Sequence, residues 1–314
     1  MTAPTERAAI VTEAFRSIAL GSKSFAAASR LFDRKTRERA WMLYAWCRAC
    51  DDLADGQTLG HGMQAVADAP ERLALMRART EAALNGRTVG DAPFDALRIV
   101  AVETGLPHHF AHDLIAGFAL DADDWRPRSE ADLMRYCYHV AGVVGCMMAV
   151  VMGVAPDDEA TLDRACDLGM AFQLANIARD IEEDDRAGRC YLPIEWLVEM
   201  DIPPGEHMKP PFRKRLTVLS RRLASRAAAF EESARGGTPA LSFRSAWAVL
   251  AAAGIYGGIG REVARRGDHA WDHRVSTSKL EKLGWIARAF AEATTRRRYA
   301  GVPRDPDLWT RPRG

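Results

Sequence analysis

The amino-acid sequence predicts an all-α protein, and two observations carry that prediction. Leu, Ala, Met and aromatic residues recur along most of the chain at the spacing of one helix face. Alternating runs rich in Val, Ile and Thr, which are typical of strands, are missing. The spacing predicts helices over residues 38–56, 70–84, 92–104, 107–121, 128–152, 158–186, 210–235, 240–267 and 276–297.

Turn-forming residues separate these helices in chain order. Gly, Pro and polar residues fall at 56–70, 85–93, 126–129, 202–211 and 236–239. None of these breaks has the composition of an interdomain linker, and no repeat of 20–50 residues indicates a solenoid. The length of 314 residues leaves open roughly two domains or one large helical domain.

Composition and charge exclude two classes of protein. The chain is 48% hydrophobic and has 43 Lys and Arg against 42 Asp and Glu, a formal net charge of +1. This balance argues against a protein that binds nucleic acid mainly through its phosphates, because such proteins usually carry a basic excess. The apolar content argues against disorder. Any phosphate must therefore be bound by a local cluster of residues.

The six cysteines lie in apolar or helix-like segments, which is typical of reduced thiols in a cytosolic protein. Cys47 and Cys50 form a C-x-x-C pair, but no second pair completes a zinc site, so we interpret them as packed and chemically inactive.

Residues 1–9 lack the apolar core of an export signal. The longest apolar stretches, 140–155 and 246–260, fall short of the ~20 residues that cross a bilayer and read as buried helices.

A first acidic motif follows the apolar run 41–47. On a helix, Asp51 and Asp55 point to one face, and Arg48 lies one turn earlier on that face. Like charges at this spacing repel each other, and a bound cation would relieve the repulsion. Taken alone, the motif is equally consistent with solvated acids at a helix end that runs into Gly56.

A second motif repeats the pattern in another predicted helix, and its side chains at 173, 176, 180 and 184 share one face. If the two helices meet across a cavity, their carboxylates form a site for hard cations. Oxygen ligands favour Mg²⁺ or Mn²⁺, and Mg²⁺ is commonly bound by one or two carboxylates together with substrate phosphates. We therefore predict a metal–diphosphate site. The motif reads Gln173-x-x-Asn176-x-x-Arg179-Asp180-x-x-x-Asp184-Asp185.

These motifs and their surroundings resemble the squalene/phytoene synthase family over most of the chain. The N-terminal part of the resemblance is carried by Ser22-Lys23-Ser24-Phe25 with Ala28-Ser29, and by Ala40-Trp41-x-x-Tyr44-Ala45-Trp46-Cys47-Arg48-x-x-Asp51-Asp52-x-x-Asp55. The second part is carried by Gln173-Leu-x-Asn176-Ile-x-Arg179-Asp180-Ile-x-Glu183-Asp184, followed by Gly188-Arg189-x-Tyr191-Leu192-Pro193. The motifs are long and correctly ordered, and the bacterial phytoene-forming members fit best.

The resemblance implies one domain over residues 1–314, with the prenyl-synthase α-fold around a central cavity and both acidic motifs near its mouth. We expect residues 300–314 to form a flexible tail. The implied reaction is the head-to-head condensation of two geranylgeranyl diphosphates through prephytoene diphosphate to phytoene. The implied enzyme is thus a prenyltransferase of carotenoid biosynthesis.

The residues suit this chemistry. Mg²⁺, or Mn²⁺ in its place, held by Asp51, Asp55, Asp180 and Asp184, would act as a Lewis acid on the diphosphate. Arg48 and Arg179 can add bidentate hydrogen bonds to the departing oxygens. The allylic cation that remains needs a dry apolar cavity with π-faces. As lining residues we predict Phe25, Tyr44, Met147, Met148, Phe172, Leu174 and Tyr256.

Further positions match the family by motif. The resemblance places Ser22, Ser24 and Tyr44 near the substrate diphosphate, and it places Gln173, Asn176 and Tyr256 beside the reacting carbons. Segment 274–279 resembles a basic block in which Arg274 and Lys279 close over a diphosphate, although a solvated helix start explains these two residues nearly as well. Asp52 and Asp185 are adjacent to the predicted ligands and are expected to support them.

No NADPH is expected. The Gly-rich run 254–260 lacks the G-x-G-x-x-G spacing and follows an Ala-rich helix rather than a strand, so it is read as a helix-packing surface. Without a reductant, the final cation loses a proton.

Two pairs of histidines have a spacing that is compatible with zinc binding, His108 with His112 and His269 with His273. Both pairs lack the glutamate of an H-E-x-x-H motif, so neither pair is predicted to bind metal.

Alternatives remain open from the sequence. A synthase of C30 dehydrosqualene or squalene would use farnesyl diphosphate with the same motifs. A non-catalytic lipid-binding or assembly relative would be expected to have lost some aspartates, and terpene cyclases and head-to-tail prenyltransferases match the motifs poorly. We expect geranylgeranyl diphosphate as the substrate, no nucleic acid and no obligate protein partner. We expect the protein in the cytoplasm, with peripheral contact to the inner face of the membrane, because its substrate tails and product partition into lipid.

Overall fold

The computed structural model describes residues 4–55, 68–122 and 125–313, except for the side chains of 4, 5, 23, 24, 55 and 122. In these ranges the chain forms helices joined by turns and has no strand, which confirms the predicted all-α class. The α-helices are α1 (Pro4–Gly21), α2 (Lys23–Ser29), α3 (Arg34–Asp55), α4 (Ala69–Leu84), α5 (Ala92–Thr104), α6 (His108–Ala122), α7 (Glu130–Cys137), α8 (Val143–Val151), α9 (Glu159–Arg186), α10 (Ile194–Glu199), α11 (Arg213–Ala234), α12 (Phe243–Arg266) and α13 (Lys279–Thr294).

The structure adds three helices to those predicted, α1, α2 and α10. Among the described side chains of helix α1, those of Ile10, Ala14 and Ile18 are buried. These three apolar positions lie between charged residues and give only a weak hydrophobic periodicity. The helix is held instead by Arg7, which donates to Glu103 and Glu38 at 2.6 Å each. Both partners are distant in sequence, so periodicity alone could not detect this helix.

The long helix predicted at 128–152 is interrupted by a π-helical turn, Tyr138–Gly142, between α7 and α8. There the chain crosses α9 at very close distance. A Cβ on Gly169 would lie 2.2 Å from the Ala141 carbonyl oxygen, and one on Gly145 would lie 2.2 Å from the Ala165 carbonyl oxygen. Only glycine permits this approach, which fixes α8 against the middle of α9.

By length and composition alone, one segment in the described part of this region resembles a membrane-spanning helix. Residues Glu130–Val151 are apolar and long enough to cross a membrane, but most of this segment is buried inside the fold. This burial is typical of a core helix, as the sequence predicts for its second half.

The six cysteines are free thiols. Burial raises the pKa of the Cys47 and Cys50 thiols, which keeps them protonated and agrees with their interpretation as inactive.

The C-terminal residues, expected to form a flexible tail, have defined partners on the first half of α9. Arg304 donates to Asp167 at 2.7 and 2.9 Å, and Arg313 donates to Asp163 at 2.7 and 2.8 Å. Arg311 also pairs with Asp163, at 3.0 Å. These acids recur every four residues on one face of α9, so the segment lies along that face.

We expect Arg304→Met to destabilise the fold. Asp167 is only 1% exposed, and burial raises the pKa of its carboxyl group. Removing Arg304 leaves a buried carboxylate without its cation, which should lower the free energy of unfolding by about 3 kcal/mol. Urea unfolding would measure this change. Arg265→Met, which breaks an exposed pair with Glu262, is the control and should leave the midpoint nearly unchanged.

Candidate active site

A central cavity of about 390 Å³ lies among α2, α8, α9 and α12. One face of α9 lines its full length, with residues recurring every three or four positions: Thr161, Arg164, Ala165, Leu168, Gly169, Phe172, Gln173 and Asn176. At 1.5 Å per residue, the face from Thr161 to Asn176 is about 22 Å long. The cavity is therefore a deep channel parallel to α9.

The end of the channel nearest the second acidic motif has aromatic and amide groups. The ring of Tyr256 stacks on Phe172 with centroids 4.3 Å apart, and both residues line the channel. Gln173 and Asn176 lie there too, one to two turns before Asp180 on α9. We call this end the mouth, because it adjoins the charged residues.

The opposite end is closed by Arg164. Its guanidinium, nearly buried, donates to the Ser233 carbonyl oxygen at 3.0 Å and to the Val302 carbonyl oxygen at 2.5 Å. Gly236 and Gly237 pack directly against its side chain. Arg164 thus links the inner end of the channel to the C-terminal segment.

The first acidic motif adjoins the channel through an aromatic contact. On α3, Arg48 donates to Asp52 at 3.0 Å and to Asp51 at 3.5 Å. One turn earlier, Tyr44 packs against Phe25 with ring centroids 5.7 Å apart, and Phe25 lines the channel. Burial raises the pKa of Tyr44 to about 12, so its hydroxyl stays protonated and can donate.

The second motif is enclosed by two arginines. Arg179 donates to Asp180 at 2.7 Å, and Arg274, from the loop before α13, approaches Asp180 at 3.1 Å and Glu183 at 3.2 Å. The structure therefore brings Arg274 to the motif. Lys279, by contrast, begins α13 with an exposed side chain, and its part in closing over a diphosphate stays a prediction.

Asp184 lies one turn after Asp180. Burial and the negative charge of Asp180 raise the pKa of Asp184 to about 7, and Arg189 offsets this only in part. A nearby cation favours the charged form of such a carboxyl group. The oxygen donors of the two motifs thus fit a hard divalent cation.

No three described His, Cys, Asp or Glu side chains converge as a complete metal site. The side chains of Asp55, a predicted ligand, and Ser24 lie outside the described residues. Among the histidines not predicted to bind metal, His112 pairs with Glu81 at 3.0 Å, and His269 pairs with Asp272 at 2.8 Å.

Three predicted lining residues are wrong, because Tyr44, Met147 and Leu174 are not part of the described wall. Met147 and Leu174 are fully buried in the core, whereas their neighbours Met148 and Gln173 line the described wall of the channel. Consecutive helical side chains point about 100° apart, and only the packing shows which one faces the channel. Tyr44 supports the lining residue Phe25 without being part of the wall.

Ser22 and Asp185 have structural partners. The Ser22 hydroxyl caps α2 by accepting a hydrogen bond from the Phe25 amide at 3.3 Å. This cap places Phe25 at the channel. Asp185 lies 3.4 Å from the buried His207, on the side of α9 away from the motif face.

An aromatic cluster that the sequence motifs do not predict lies beside Asp184. The rings of Trp125 and Tyr136 stack with centroids 5.5 Å apart, and Tyr136 stacks on Tyr191 at 4.9 Å. Both tyrosine hydroxyls donate to Asp121 at 3.1 Å. Tyr191 lies in the segment that follows the second motif and could have indicated this cluster. Asp121 lies outside every sequence motif and could not have been predicted to take part.

A helical fold with an apolar channel, one acidic motif on the helix that lines it and a second on a helix that contacts its wall is the architecture of the isoprenoid synthase class. Residues 18–281 match the family model described as squalene/phytoene synthase. The chain belongs to this family.

Among its relatives, the 15-cis-phytoene synthase of Enterobacter agglomerans is 48% identical over 295 residues, covering 93% of this chain and 99% of that protein. The 15-cis-phytoene synthase of Pantoea ananas is 46% identical over 305 residues, covering 96% and 98%. Among solved structures, a dehydrosqualene synthase in complex with ligand aligns with a TM-score of 0.83 at 25% identity, covering 93% of this chain and 99% of that one.

Proposed function

We propose that this protein is a phytoene synthase, a prenyltransferase that condenses two geranylgeranyl diphosphates head to head through prephytoene diphosphate, with release of diphosphate. Family membership and the similarity to bacterial 15-cis-phytoene synthases over nearly the whole chain support the reaction type. The choice of a twenty-carbon substrate rests on one observation, the length of the channel.

The channel is long enough for a geranylgeranyl chain. With carbon–carbon bonds of about 1.5 Å that each advance about 1.25 Å, a main chain of sixteen carbons extends about 19 Å and the twelve carbons of farnesyl about 14 Å. The lined face of α9 measures about 22 Å from Asn176 to Thr161. Asp180 lies about 24 Å from Arg164 along α9, so a geranylgeranyl chain whose diphosphate lies at Asp180 would extend most of the way to Arg164, whereas a farnesyl chain would stop about 10 Å short of it.

The chain's own residues bind the diphosphate and protect the cation. Arg48, Arg179 and Arg274 pair with carboxylates of the two motifs, which supports a role for them in donating hydrogen bonds to the diphosphate oxygens. When bound between the acidic motifs, Mg²⁺ would neutralise the diphosphate charge as a Lewis acid. The stacked rings of Phe172 and Tyr256 line the channel, where they would stabilise an allylic cation and exclude water.

The structure favours proton loss over reduction as the final step. The Gly-rich run 254–260 lies inside α12, where a Cβ on Gly254 would lie 2.3 Å from the Trp285 ring and one on Gly257 would lie 1.9 Å from the Glu231 carboxylate. These glycines allow close helix packing rather than forming a nucleotide loop. We therefore expect no requirement for NADPH.

Product analysis tests the proposal. The purified protein is incubated with Mg²⁺ and either farnesyl or geranylgeranyl diphosphate, with and without NADPH, and the hydrocarbon is identified by mass spectrometry. We expect a C40 product from geranylgeranyl diphosphate, independent of NADPH and lost with a chelator. A C30 product formed in preference would contradict the proposal and identify a dehydrosqualene or squalene synthase.

We expect Asn176→Leu to stabilise the fold while reducing turnover. Among the described residues, the buried Asn176 Oδ1 has no hydrogen-bond partner, which is costly in the free protein. A leucine of similar size should raise the free energy of unfolding by about 1 kcal/mol. Turnover should fall at least tenfold if the amide, which lines the channel at its mouth, acts beside the reacting carbons as the family resemblance implies. Unchanged kcat with higher stability would show that Asn176 has no part in the reaction.

A further inference from the structure

Helix α13 exposes an apolar stripe along its outer face. Leu280 is 81% exposed, Leu283 62% and Phe290 46%. Ala287 and Ala291, also exposed, complete the same face. At 100° per residue these five positions span about a third of the helix circumference, and no charged side chain interrupts them.

The opposite face fixes the orientation of α13. Ala289 and Ala293 are buried, and the Trp285 ring lies directly over Gly254 of α12. Trp247 of α12 also donates to the Ile286 carbonyl oxygen at 2.8 Å. The stripe therefore cannot turn inward. It is separated from the channel by α12 alone, which lines the channel on its other side.

The charge around the stripe is strongly positive. Residues 279–299 contain six Lys or Arg and two Glu, a net charge of +4, whereas the whole chain carries only +1. Both acids have internal partners. Glu281 accepts from the Ser278 backbone at 2.8 Å in a capping box, and Glu292 accepts from Arg235 at 3.0 Å. Arg288 and Arg297 remain exposed on this segment.

We propose that α13 is a docking surface for a bilayer that contains anionic lipids. Leu280, Leu283 and Phe290 enter the boundary between headgroups and acyl chains, and Arg288 and Arg297 face lipid phosphates. A helix with an apolar face and a cationic surround binds in this way by combining apolar burial with electrostatic attraction. The surface is independent of the reaction, so it goes beyond the proposed function. Docking through α13 would bring the channel wall close to the lipid bilayer, in which long isoprenoid chains dissolve.

Vesicle flotation with the full chain tests the surface. The vesicles contain phosphatidylcholine, alone or with about one-third phosphatidylglycerol. We expect the unmodified protein to float with the anionic vesicles, and the double variant Leu280→Ser with Leu283→Ser to lose at least tenfold in partition coefficient. The matched control, Leu20→Ser with Val102→Ser, removes two equally exposed apolar side chains elsewhere and should bind as well as the unmodified protein.

Charge and self-association are tested separately. Arg288→Gln with Arg297→Gln should remove most of the preference for anionic over neutral vesicles. Equal flotation of the Leu280 and Leu283 double variant and the unmodified protein would overturn the proposal, as would no flotation of either. Sedimentation in the absence of lipid distinguishes the alternative: a dimer that this double variant dissociates would assign the stripe to a second copy of the chain. Activity on detergent-dispersed substrate should be unchanged, which shows that the variant is folded.

Discussion

Replacing Asp180 by Asn is expected to lower turnover by more than about 100-fold, because even groups that only support metal ligands contribute 10–100-fold. Asp180 lies between Arg179 and Arg274 at the mouth of the channel, where we propose that the diphosphate binds. The amide keeps the size and one hydrogen-bond acceptor but loses the negative charge. Steady-state product formation at saturating Mg²⁺ measures the effect.

The fold should survive this change. An Asn oxygen still accepts from the neighbouring arginines, so the free energy of unfolding should change by only about 1 kcal/mol. Glu182→Gln is the matched control, because Glu182 lies on α9 two positions away and, in the described part of the chain, pairs with the exposed Arg186 at 2.6 Å. Asp51→Asn should behave like Asp180→Asn. If either aspartate variant kept product formation within tenfold of the unmodified protein, the metal assignment would be wrong.

Replacing Ala165 by Phe is expected to reverse the substrate preference. Ala165 lines the inner end of the channel beside Arg164, about 16 Å along α9 from Asn176. A phenyl ring there blocks the space for a fourth isoprene unit and leaves room for three. We expect kcat/KM for geranylgeranyl diphosphate to fall at least 100-fold, or about 2.7 kcal/mol in transition-state free energy, and that for farnesyl diphosphate to fall less than tenfold.

Competition between the two diphosphates in one reaction measures this preference directly, through the ratio of C30 to C40 hydrocarbon. Ala160→Phe is the control, since Ala160 is exposed on the same helix outside the channel. An equal loss with both substrates would indicate general damage to the channel. An unchanged product ratio would mean that the substrate chain does not follow α9.

Periodicity was sufficient where the relevant residues are close in sequence. The four-residue spacing of Asp180 and Asp184 places them on one helix face whatever the rest of the chain does. The same reasoning identified Gln173 and Asn176, which do line the channel. It failed for α1, whose partners Glu38 and Glu103 are far along the chain. Local pattern cannot report contacts of that kind.

The resemblance of the motifs implied a cavity but not its dimensions. The depth of the channel depends on Arg164, which is held by Ser233 and Val302 from two other parts of the chain. Similarly, Arg274 reaches Asp180 across a separation of 94 residues. Neither contact has a local sequence signal, because each depends on how α9 packs against its neighbours.

The sequence by itself determined the helical class and the two acidic motifs, and it predicted the chemistry of a metal-bound diphosphate. These follow from spacing and residue type, which act over one or two helical turns. The tertiary structure decided which neighbours face the channel, how far the channel extends and which charges surround its mouth. Those features depend on helices meeting at close range, as at Gly145 and Gly169, and such meetings are set by packing over the whole fold.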